Sequence, residues 1–197
     1  MKLRELLHEI RVLECTADLE LDIPNVYYDS RKVTEGSLFV AISGFAADGN
    51  RFIPMALQKG AAVVVTAKKP EQDIPYVLVE SDRMALALLG CSFFSHPARS
   101  MTMIGVTGTN GKTTTAYLLD HLLTGFDGGV GYIGTNGRSC AKFKKDVNNT
   151  TPDTDKLYMY FDEFVKAHFP ETVLCTVHAG ERFKLPGADV RILYTPE

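Results

Sequence analysis

Apolar residues in the first half of the chain fall into two kinds of run. Short continuous runs are typical of strands buried on both faces, whereas apolar residues at helical spacing indicate amphipathic helices. Strands alternating with helices predict an α/β fold rather than a sandwich. The predicted strands are 38–42, 61–65 and 76–79, and the predicted helices are 3–10, 52–59 and 82–94, the last with Asp82 as its cap.

A short polar segment from His96 to Ser100 interrupts this pattern. Because it contains Pro97, and proline ends helices, we place a domain boundary here and predict domains at 1–98 and 99–197. The second segment repeats the alternation, with strands predicted at 101–106, 130–135 and 172–177 and helices at 112–123 and 155–168. The apolar faces predicted for these helices are Ala116, Leu119, Leu122 and Leu123, and Leu157, Phe161, Phe164 and Val165.

Composition and charge argue against a nucleic-acid-binding, zinc-binding, secreted or membrane-spanning protein. The net charge of −3 and the absence of a Lys/Arg block give no indication of a nucleic-acid partner. The four cysteines form no CxxC pair, so we expect reduced thiols, mostly in the core, and no zinc knuckle. The N-terminus is too charged for a signal peptide, and no apolar run approaches the roughly 20 residues of a membrane helix. We expect a cytoplasmic monomer that does not contact a membrane.

The strongest chemical signal is the glycine-rich segment 105–114, between a buried strand and an amphipathic helix. Glycines let successive N–H groups turn toward phosphate oxygens, and the helix N-terminus favours the same anion. Lys112 is placed to neutralise the β- and γ-phosphates, and the Thr113 hydroxyl to ligate Mg²⁺. The generic pattern requires glycine where Val106 stands, so an ordinary glycine-rich turn is the alternative. The predicted ATP-binding residues are Thr107, Gly108, Thr109, Asn110, Gly111, Lys112 and Thr113, with Lys112 also catalytic and Thr113 also the metal ligand.

Residues 107–114 resemble the ATP loop of the Mur ligases and of folylpolyglutamate synthetase. The resemblance implies ATP and Mg²⁺ as cofactors, and a reaction in which ATP phosphorylates a carboxylate that an amine then attacks to form an amide bond. Folylpolyglutamate synthetase carries this loop near its N-terminus without a domain like residues 1–98, which favours the Mur ligases. A kinase or GTPase would need a Walker-B strand ending in aspartate and base-recognition motifs, and the sequence shows neither.

Segments 27–31 and 35–41 resemble one branch of that family, which adds the third amino acid, meso-diaminopimelate or lysine, to UDP-muramyl dipeptide. In that branch the Asp-Ser-Arg loop holds the uridine end of the substrate. A turn stabilised by the Asp and Ser side chains is the alternative for residues 29–31. By the resemblance, the residues that contact UDP are Tyr28 and Ser30, with Phe45, Ala46 and Ala47 along the same ligand.

Segment 148–152 resembles the Asn-Thr-Thr-Pro stretch of the same branch, whose backbone and hydroxyls hold the muramyl-dipeptide end. By that match Asn149, Thr150 and Thr151 bind the substrate, and a polar loop that ends at Pro152 is the alternative. We therefore expect a small UDP-binding α/β domain, followed by the start of a P-loop, Rossmann-like ATP-binding domain.

The resemblance weakens after about residue 170. The family carries there a strand that ends in Glu-x-Ser-Ser-His, whose glutamate and histidine help to hold magnesium and whose serine contacts the substrate. This sequence keeps His178 but neither the glutamate nor the serines, with Glu181 or Asp189 as alternative carboxylates. Neither the carbamylated-lysine motif nor the amine-binding domain is recognisable. We expect a truncated ligase that does not form the amide bond; the alternative is a non-catalytic module that binds UDP-sugar and nucleotide.

Overall fold

The structure, a computed structural model, describes residues 1–43, 48–123, 130–140, 142–146, 154–167, 172–176 and 190–194. Contacts divide the chain into two units, Met1–Ser95 and His96–Glu197, whereas the sequence predicted domains at 1–98 and 99–197. Ser95 and His96 both have positive φ angles, 57° and 55°, and a 3-10 turn at Pro97–Ser100 follows them.

The first unit is built on a five-stranded sheet in the order β1-β5-β4-β3-β2. Strand β1 pairs antiparallel with β5, and the other neighbours are parallel. The strands are β1 (Val12–Cys15), β2 (Val26–Tyr27), β3 (Leu38–Ala41), β4 (Val63–Thr66) and β5 (Tyr76–Val79), and the helices are α1 (Leu3–Leu6), α2 (Ile53–Gln58) and α3 (Asp82–Phe93).

Every residue of β3 and β4 is buried, which explains the unbroken apolar runs in their sequences. Alternate side chains of the two strands supply two separate cores. Leu38, Val40, Val63 and Val65 pack with residues of α1 and α3, whereas Phe39, Ala41 and Val64 pack with Ile53 and Ala56 of α2. The α/β arrangement predicted for this segment is confirmed.

The predicted cap of α3 is wrong by one residue. Ser81 is the N-cap, and its Oγ accepts a hydrogen bond of 3.3 Å from the backbone N–H of Met84. Asp82 is the first helical residue and is buried, and its Oδ2 accepts a hydrogen bond of 2.7 Å from the backbone N–H of Ser43. The Asp82 carboxylate therefore binds a distant loop instead of capping its own helix.

The second unit is built on a six-stranded sheet in the order β11-β6-β10-β7-β8-β9. The first four strands of that order are parallel, and β7, β8 and β9 form an antiparallel meander. The sequence did not predict β8, β9 or β11. The strands are β6 (Thr102–Thr107), β7 (Val130–Gly134), β8 (Gly137–Cys140), β9 (Phe143–Lys145), β10 (Thr172–Thr176) and β11 (Val190–Tyr194), and the helices are α4 (Lys112–Leu123) and α5 (Thr154–Lys166).

Two residues predicted to face inward are exposed: Leu122 of α4 at 60% and Val165 of α5 at 37%. In α5 the buried face instead includes Tyr158 and Tyr160. It extends to Tyr160 because the guanidinium of Arg138, on the unpredicted strand β8, lies 3.7 Å from the centre of that ring.

Arg138 also forms an ion pair with Glu163 of α5 at 3.0 Å, and Phe143 of β9 stacks on Phe164 at 5.5 Å. Strands β8 and β9 therefore cover α5 with both charged and aromatic contacts. Among the described residues, no helix has the length and apolar character required to span a bilayer.

Candidate substrate and nucleotide sites

Four parallel strands of the first unit, β2, β3, β4 and β5, end at one edge of the sheet. The segments that follow β2 and β3 contain all five residues predicted to lie along UDP. Tyr28 and Ser30 follow β2, and the loop that contains residues 44–47 follows β3. Ligands of parallel α/β sheets bind at the carboxyl ends of the strands, so this edge is the candidate substrate site of the first unit.

Asp29 and Arg31 hold a tight turn at this edge. The Asp29 carboxylate accepts hydrogen bonds from the Arg31 backbone N–H at 3.0 Å and from Arg31 Nε and Nη2 at 2.9 and 2.8 Å. These bonds to the Arg31 side chain are the main reason why the pKa of Asp29 falls to about 2. The turn considered from sequence is therefore present, and it is made by Asp29 and not by the Ser30 hydroxyl.

The Ser30 side chain is held much more weakly. It is 6% exposed, and its Oγ lies 3.4 Å from the thioether sulfur of Met55, the partner recorded for it among the described residues. A thioether is a weak acceptor, which an oxygen of a ligand can replace with a gain in hydrogen-bond strength. Tyr28 is half-buried and packs against the core shared by β3, β4, α1 and α3.

The loop after β3 is closed at its base by backbone contacts. Ser43 and Asp48 form an isolated antiparallel bridge, and the Gly49 N–H donates to the Ile42 carbonyl at 2.8 Å. The hydrogen bond from Ser43 to Asp82 fixes the same base to the start of α3. The predicted contacts Phe45, Ala46 and Ala47 lie outside the described residues, between these fixed ends.

A chain of polar side chains continues from this base across to β4, and sequence inspection did not detect it. Asp48 Oδ1 accepts from the backbone and side-chain nitrogens of Asn50, and Asn50 Oδ1 accepts from Thr66 Oγ1 at 2.8 Å. Lys68 Nζ donates to Asp48 Oδ2 at 2.8 Å. The Lys68 hydrogen bond is the largest cause that lowers the pKa of Asp48 to about 2. The network places the Lys68 ammonium at the base of the loop that follows β3, which we call the candidate substrate loop.

In the second unit, the glycine-rich loop runs from the end of β6 at Thr107 to the start of α4 at Lys112. Gly108 and Gly111 have φ angles of 146° and 75°, which other residues rarely adopt, so both glycines are required by the turn. Thr109, Asn110 and Gly111 are exposed, and the Thr113 side chain in the first turn of α4 is partly buried. The loop therefore presents backbone to solvent directly before a helix N-terminus, where phosphate binds well.

The Lys112 ammonium lies over this loop. Its Nζ donates to the carbonyl of Gly108 at 2.6 Å and to that of Thr109 at 3.3 Å. The positive charge is therefore already within the loop, and its two neutral partners are easily replaced by phosphate oxygens, which form stronger charge-assisted bonds. The described geometry fits ATP at this position. The Thr113 hydroxyl suits Mg²⁺, an ion that takes one or two protein ligands beside phosphate oxygens and water.

Buried hydroxyls surround the carboxyl ends of the parallel strands beside this loop. Thr107, Tyr132 and Thr176 are 5%, 2% and 1% exposed, and they end or lie on β6, β7 and β10. Burial is the main cause that raises the pKa of Tyr132 above its ordinary value. The Tyr132 phenol therefore stays neutral. The predicted substrate residues Asn149, Thr150 and Thr151 lie outside the described residues, as do His178, Glu181 and Asp189.

A buried parallel strand, a glycine-rich loop and a helix that begins with lysine and threonine define an α/β protein of the phosphate-loop class. Two family models match the chain: "Mur ligase family, catalytic domain" over residues 22–87 and "Mur ligase middle domain" over residues 106–174. The chain belongs to the Mur ligase family and contains its N-terminal and middle domains.

Curated relatives support this assignment. The chain is 39% identical over 176 residues to UDP-N-acetylmuramoyl-L-alanyl-D-glutamate–2,6-diaminopimelate ligase of Alkaliphilus metalliredigens, which covers 88% of this chain and 36% of the relative. It is 32% identical over 190 residues to the ligase of the same name from Listeria monocytogenes, covering 96% of this chain and 39% of the relative. The chain thus spans somewhat more than a third of the length of these relatives.

Solved structures show the same fold. A structure of a UDP-N-acetylmuramoyl-L-alanyl-D-glutamate–2,6-diaminopimelate ligase matches with a TM-score of 0.72 and 23% identity, over 91% of this chain and 36% of that one. The MurF ligase of Thermotoga maritima in complex with ADP matches with a TM-score of 0.53 and 26% identity, over 80% of this chain and 32% of that one.

Proposed function

We propose that this chain supplies the uridine-nucleotide and ATP sites of a ligase that adds the third amino acid to UDP-N-acetylmuramoyl-L-alanyl-D-glutamate. The observation that carries the proposal is the loop between β6 and α4, where two glycines with positive φ and the Lys112 ammonium surround a helix N-terminus. The relatives named for this substrate share 32–39% identity with the chain.

The chemistry follows from the proposed sites. A carboxylate oxygen of the substrate attacks the γ-phosphorus of ATP, and ADP leaves. An amine nitrogen then attacks the acyl carbon, inorganic phosphate leaves, and the nitrogen releases a proton. Lys112 stabilises the charge on the transferring phosphoryl group, and Thr113 would hold Mg²⁺, which would neutralise further phosphate charge. Catalysis of this kind depends on positioning and on cations.

Ser30 is the residue through which we propose to test the uridine site. Its buried hydroxyl donates to the Met55 thioether, which is a weak acceptor. A substrate oxygen would replace this acceptor with a stronger one. Tyr28 and the loop containing Phe45, Ala46 and Ala47 would flank the nucleotide at the same edge of the sheet. Asn149, Thr150 and Thr151 would hold the muramyl-dipeptide end.

The test titrates UDP-muramyl dipeptide into the 197-residue chain by calorimetry. Ser30→Ala should weaken binding about fivefold to tenfold, the loss of one hydrogen bond to ligand. Ser92→Ala, at a buried serine of α3 that is 7% exposed, is the matched control and should bind like the wild type. Equal affinity in both variants and the wild type would remove Ser30 from the site, and no binding by the wild type would reject the uridine site.

A non-catalytic nucleotide-binding module is the second candidate. The sequence of β10 favours this candidate. In the family this strand carries a magnesium-binding glutamate near its end, whereas here it reads Thr-Val-Leu-Cys-Thr and contains no carboxylate. Leu174 in this strand is fully buried. Incubation with ATP, Mg²⁺, UDP-muramyl dipeptide and either diaminopimelate or lysine tests whether the chain forms the amide bond by itself. We expect no tripeptide product by mass spectrometry; a product that disappears in Lys112→Ala would reject the non-catalytic module and establish ligase activity.

A further inference from the structure

Tyr132 of β7 lies beneath the first turns of α4. Its ring is 2% exposed, packs with Val106 and Ala116, and stacks on Tyr117 with ring centres 5.3 Å apart and planes at 24°. Thr113, Ala116 and Tyr117 are spaced three and four residues apart, so they share one helical face. The face that contacts Tyr132 therefore begins with the threonine proposed to hold the metal.

The Tyr132 hydroxyl is buried at the end of this face, and its hydrogen-bonding capacity is incompletely used. Within the described part of the chain, neither this hydroxyl nor Thr176 Oγ1 has a partner at good hydrogen-bond geometry. The two hydroxyl oxygens lie close to each other across Gly134. A Cβ added to this glycine would clash with both of them. Thr113 lies one helical turn before Ala116 and Tyr117, the residues of α4 that contact the Tyr132 ring, so its side chain projects from the same face of the helix.

We propose that Tyr132 is a positioning residue that orients the Thr113 hydroxyl toward the metal of the nucleotide site. The proposal rests on the proposed ATP-binding function. A hydroxyl that ligates a cation through a lone pair retains one proton, which needs an acceptor. The Tyr132 oxygen accepts a hydrogen bond from the Thr113 O–H, and the Tyr132 O–H donates a hydrogen bond to Thr176 Oγ1. Three hydroxyls from α4, β7 and β10 then form one chain.

The contribution of Tyr132 is an outer-shell effect. Groups that hydrogen-bond to a metal ligand fix its orientation, and their removal typically lowers metal affinity about 10-fold to 100-fold. The stack on Tyr117 and the contacts with Val106 and Ala116 hold the phenol ring in place before the nucleotide binds. Tyr132→Phe removes the hydroxyl and keeps the ring, so it isolates this contribution.

The experiment titrates ADP into the full chain, first with EDTA and then at increasing Mg²⁺ concentrations. For Tyr132→Phe we expect the same affinity for metal-free ADP as in the wild type. The Mg²⁺ concentration that produces half of the metal-dependent increase in ADP affinity should be about tenfold higher. Tyr117→Phe is the matched control, because it changes the other ring of the stack, which is 41% exposed. It should respond to Mg²⁺ like the wild type. In a Thr113→Val background, Tyr132→Phe should have no further effect.

The outcomes distinguish the two proposals. Failure of the wild type to bind ADP would reject the ATP site and this proposal with it. Binding of ADP with the same Mg²⁺ response in wild type and Tyr132→Phe would reject the positioning role alone, and so would an equal loss of affinity with and without metal. Thr176→Val is a second variant that tests the proposal if Tyr132→Phe does not fold. It should also raise the Mg²⁺ concentration required. An unchanged Mg²⁺ requirement in Thr176→Val would reject the proposed hydrogen bonds between the three hydroxyls.

Discussion

The Asp82 carboxylate accepts a hydrogen bond of 2.7 Å from the backbone N–H of Ser43, 39 residues earlier in the sequence. Asp82 is 6% exposed, and Ser43 begins the loop that carries Phe45, Ala46 and Ala47. A buried carboxylate on the first turn of α3 therefore fixes one end of the candidate substrate loop. The negative charge is also favourable at that position, because it lies at the positive end of the helix.

Removal of this carboxylate should affect both stability and binding. We expect Asp82→Ala to lower the free energy of unfolding by about 1.5–3 kcal/mol, the range for a hydrogen bond to a charged group, and to weaken binding of UDP-muramyl dipeptide. Ser81→Ala is the control: loss of the N-cap should cost about 1 kcal/mol and leave binding unchanged. Denaturant unfolding and calorimetry measure the two effects, and equal binding losses in both variants would contradict the role of Asp82 in the loop.

Replacement of Lys112 should weaken nucleotide binding. The ammonium lies 2.6 Å from the Gly108 carbonyl and supplies charge that backbone amides cannot. We expect Lys112→Ala to weaken ATP binding at least tenfold, about 1.4 kcal/mol. Lys144→Ala, at an exposed lysine of β9, should leave ATP affinity unchanged. If Lys112→Ala bound ATP as tightly as the wild type, the loop would not be a phosphate site.

The Asp29 turn should make stability depend on pH. Arg31 lowers the folded-state pKa of Asp29 from 3.8 to about 2, so the ionised carboxylate stabilises the fold above pH 3.8, and this contribution is lost as the pH falls toward 2. Because the Arg31 side chain is 82% exposed, solvent screens the pair, and we expect Asp29→Asn to cost about 1 kcal/mol at pH 7.

Unfolding of wild type and Asp29→Asn at pH 7, 4 and 2 tests this expectation. The difference between them should shrink as the pH falls. Asp73→Asn, at an exposed aspartate of the same unit, should show no comparable cost at pH 7. A difference that stays constant from pH 7 to pH 2 would mean that Asp29 acts through packing and not through its charge.

Arg138 should contribute more to stability than its exposed neighbour Lys145, although both form ion pairs with Glu163. The Arg138 side chain is 9% exposed and stacks on Tyr160, whereas Lys145 is 50% exposed. Loss of one partner from a buried pair costs about 3–5 kcal/mol. In Arg138→Ala the Glu163 carboxylate would still pair with Lys145 and contact solvent, so we expect a smaller cost of about 2 kcal/mol. Lys145→Ala should cost below about 1 kcal/mol. Denaturant unfolding measures both, and equal costs would contradict the contribution of burial.

Local patterns in the sequence were sufficient for the buried parallel strands β3, β4, β5, β6, β7 and β10, for the longer helices and for the position of the glycine-rich turn. They did not predict β1, β2, β8, β9 or β11. Strand β5 and helix α4 have the predicted bounds, because continuous apolar runs and helical spacing are local consequences of burial. The glycine-rich turn from Thr107 to Thr113 was likewise located from residue order, since its glycines, lysine and threonine lie within one turn. The ATP-binding role of this turn and the substrate-binding roles of the residues in both units remain predictions.

The tertiary structure decided which polar groups meet across distant segments. The pairing of Ser43 with Asp82, the stack of Arg138 on Tyr160 and the approach of Tyr132 to Thr176 each join residues from different elements. Sequence periodicity carries no information about such pairs, because it reports which face of one element is buried and not which element covers it. Leu122 shows the same limit: its spacing is that of a buried residue, but within the described structure it remains 60% exposed because no packed element covers it there.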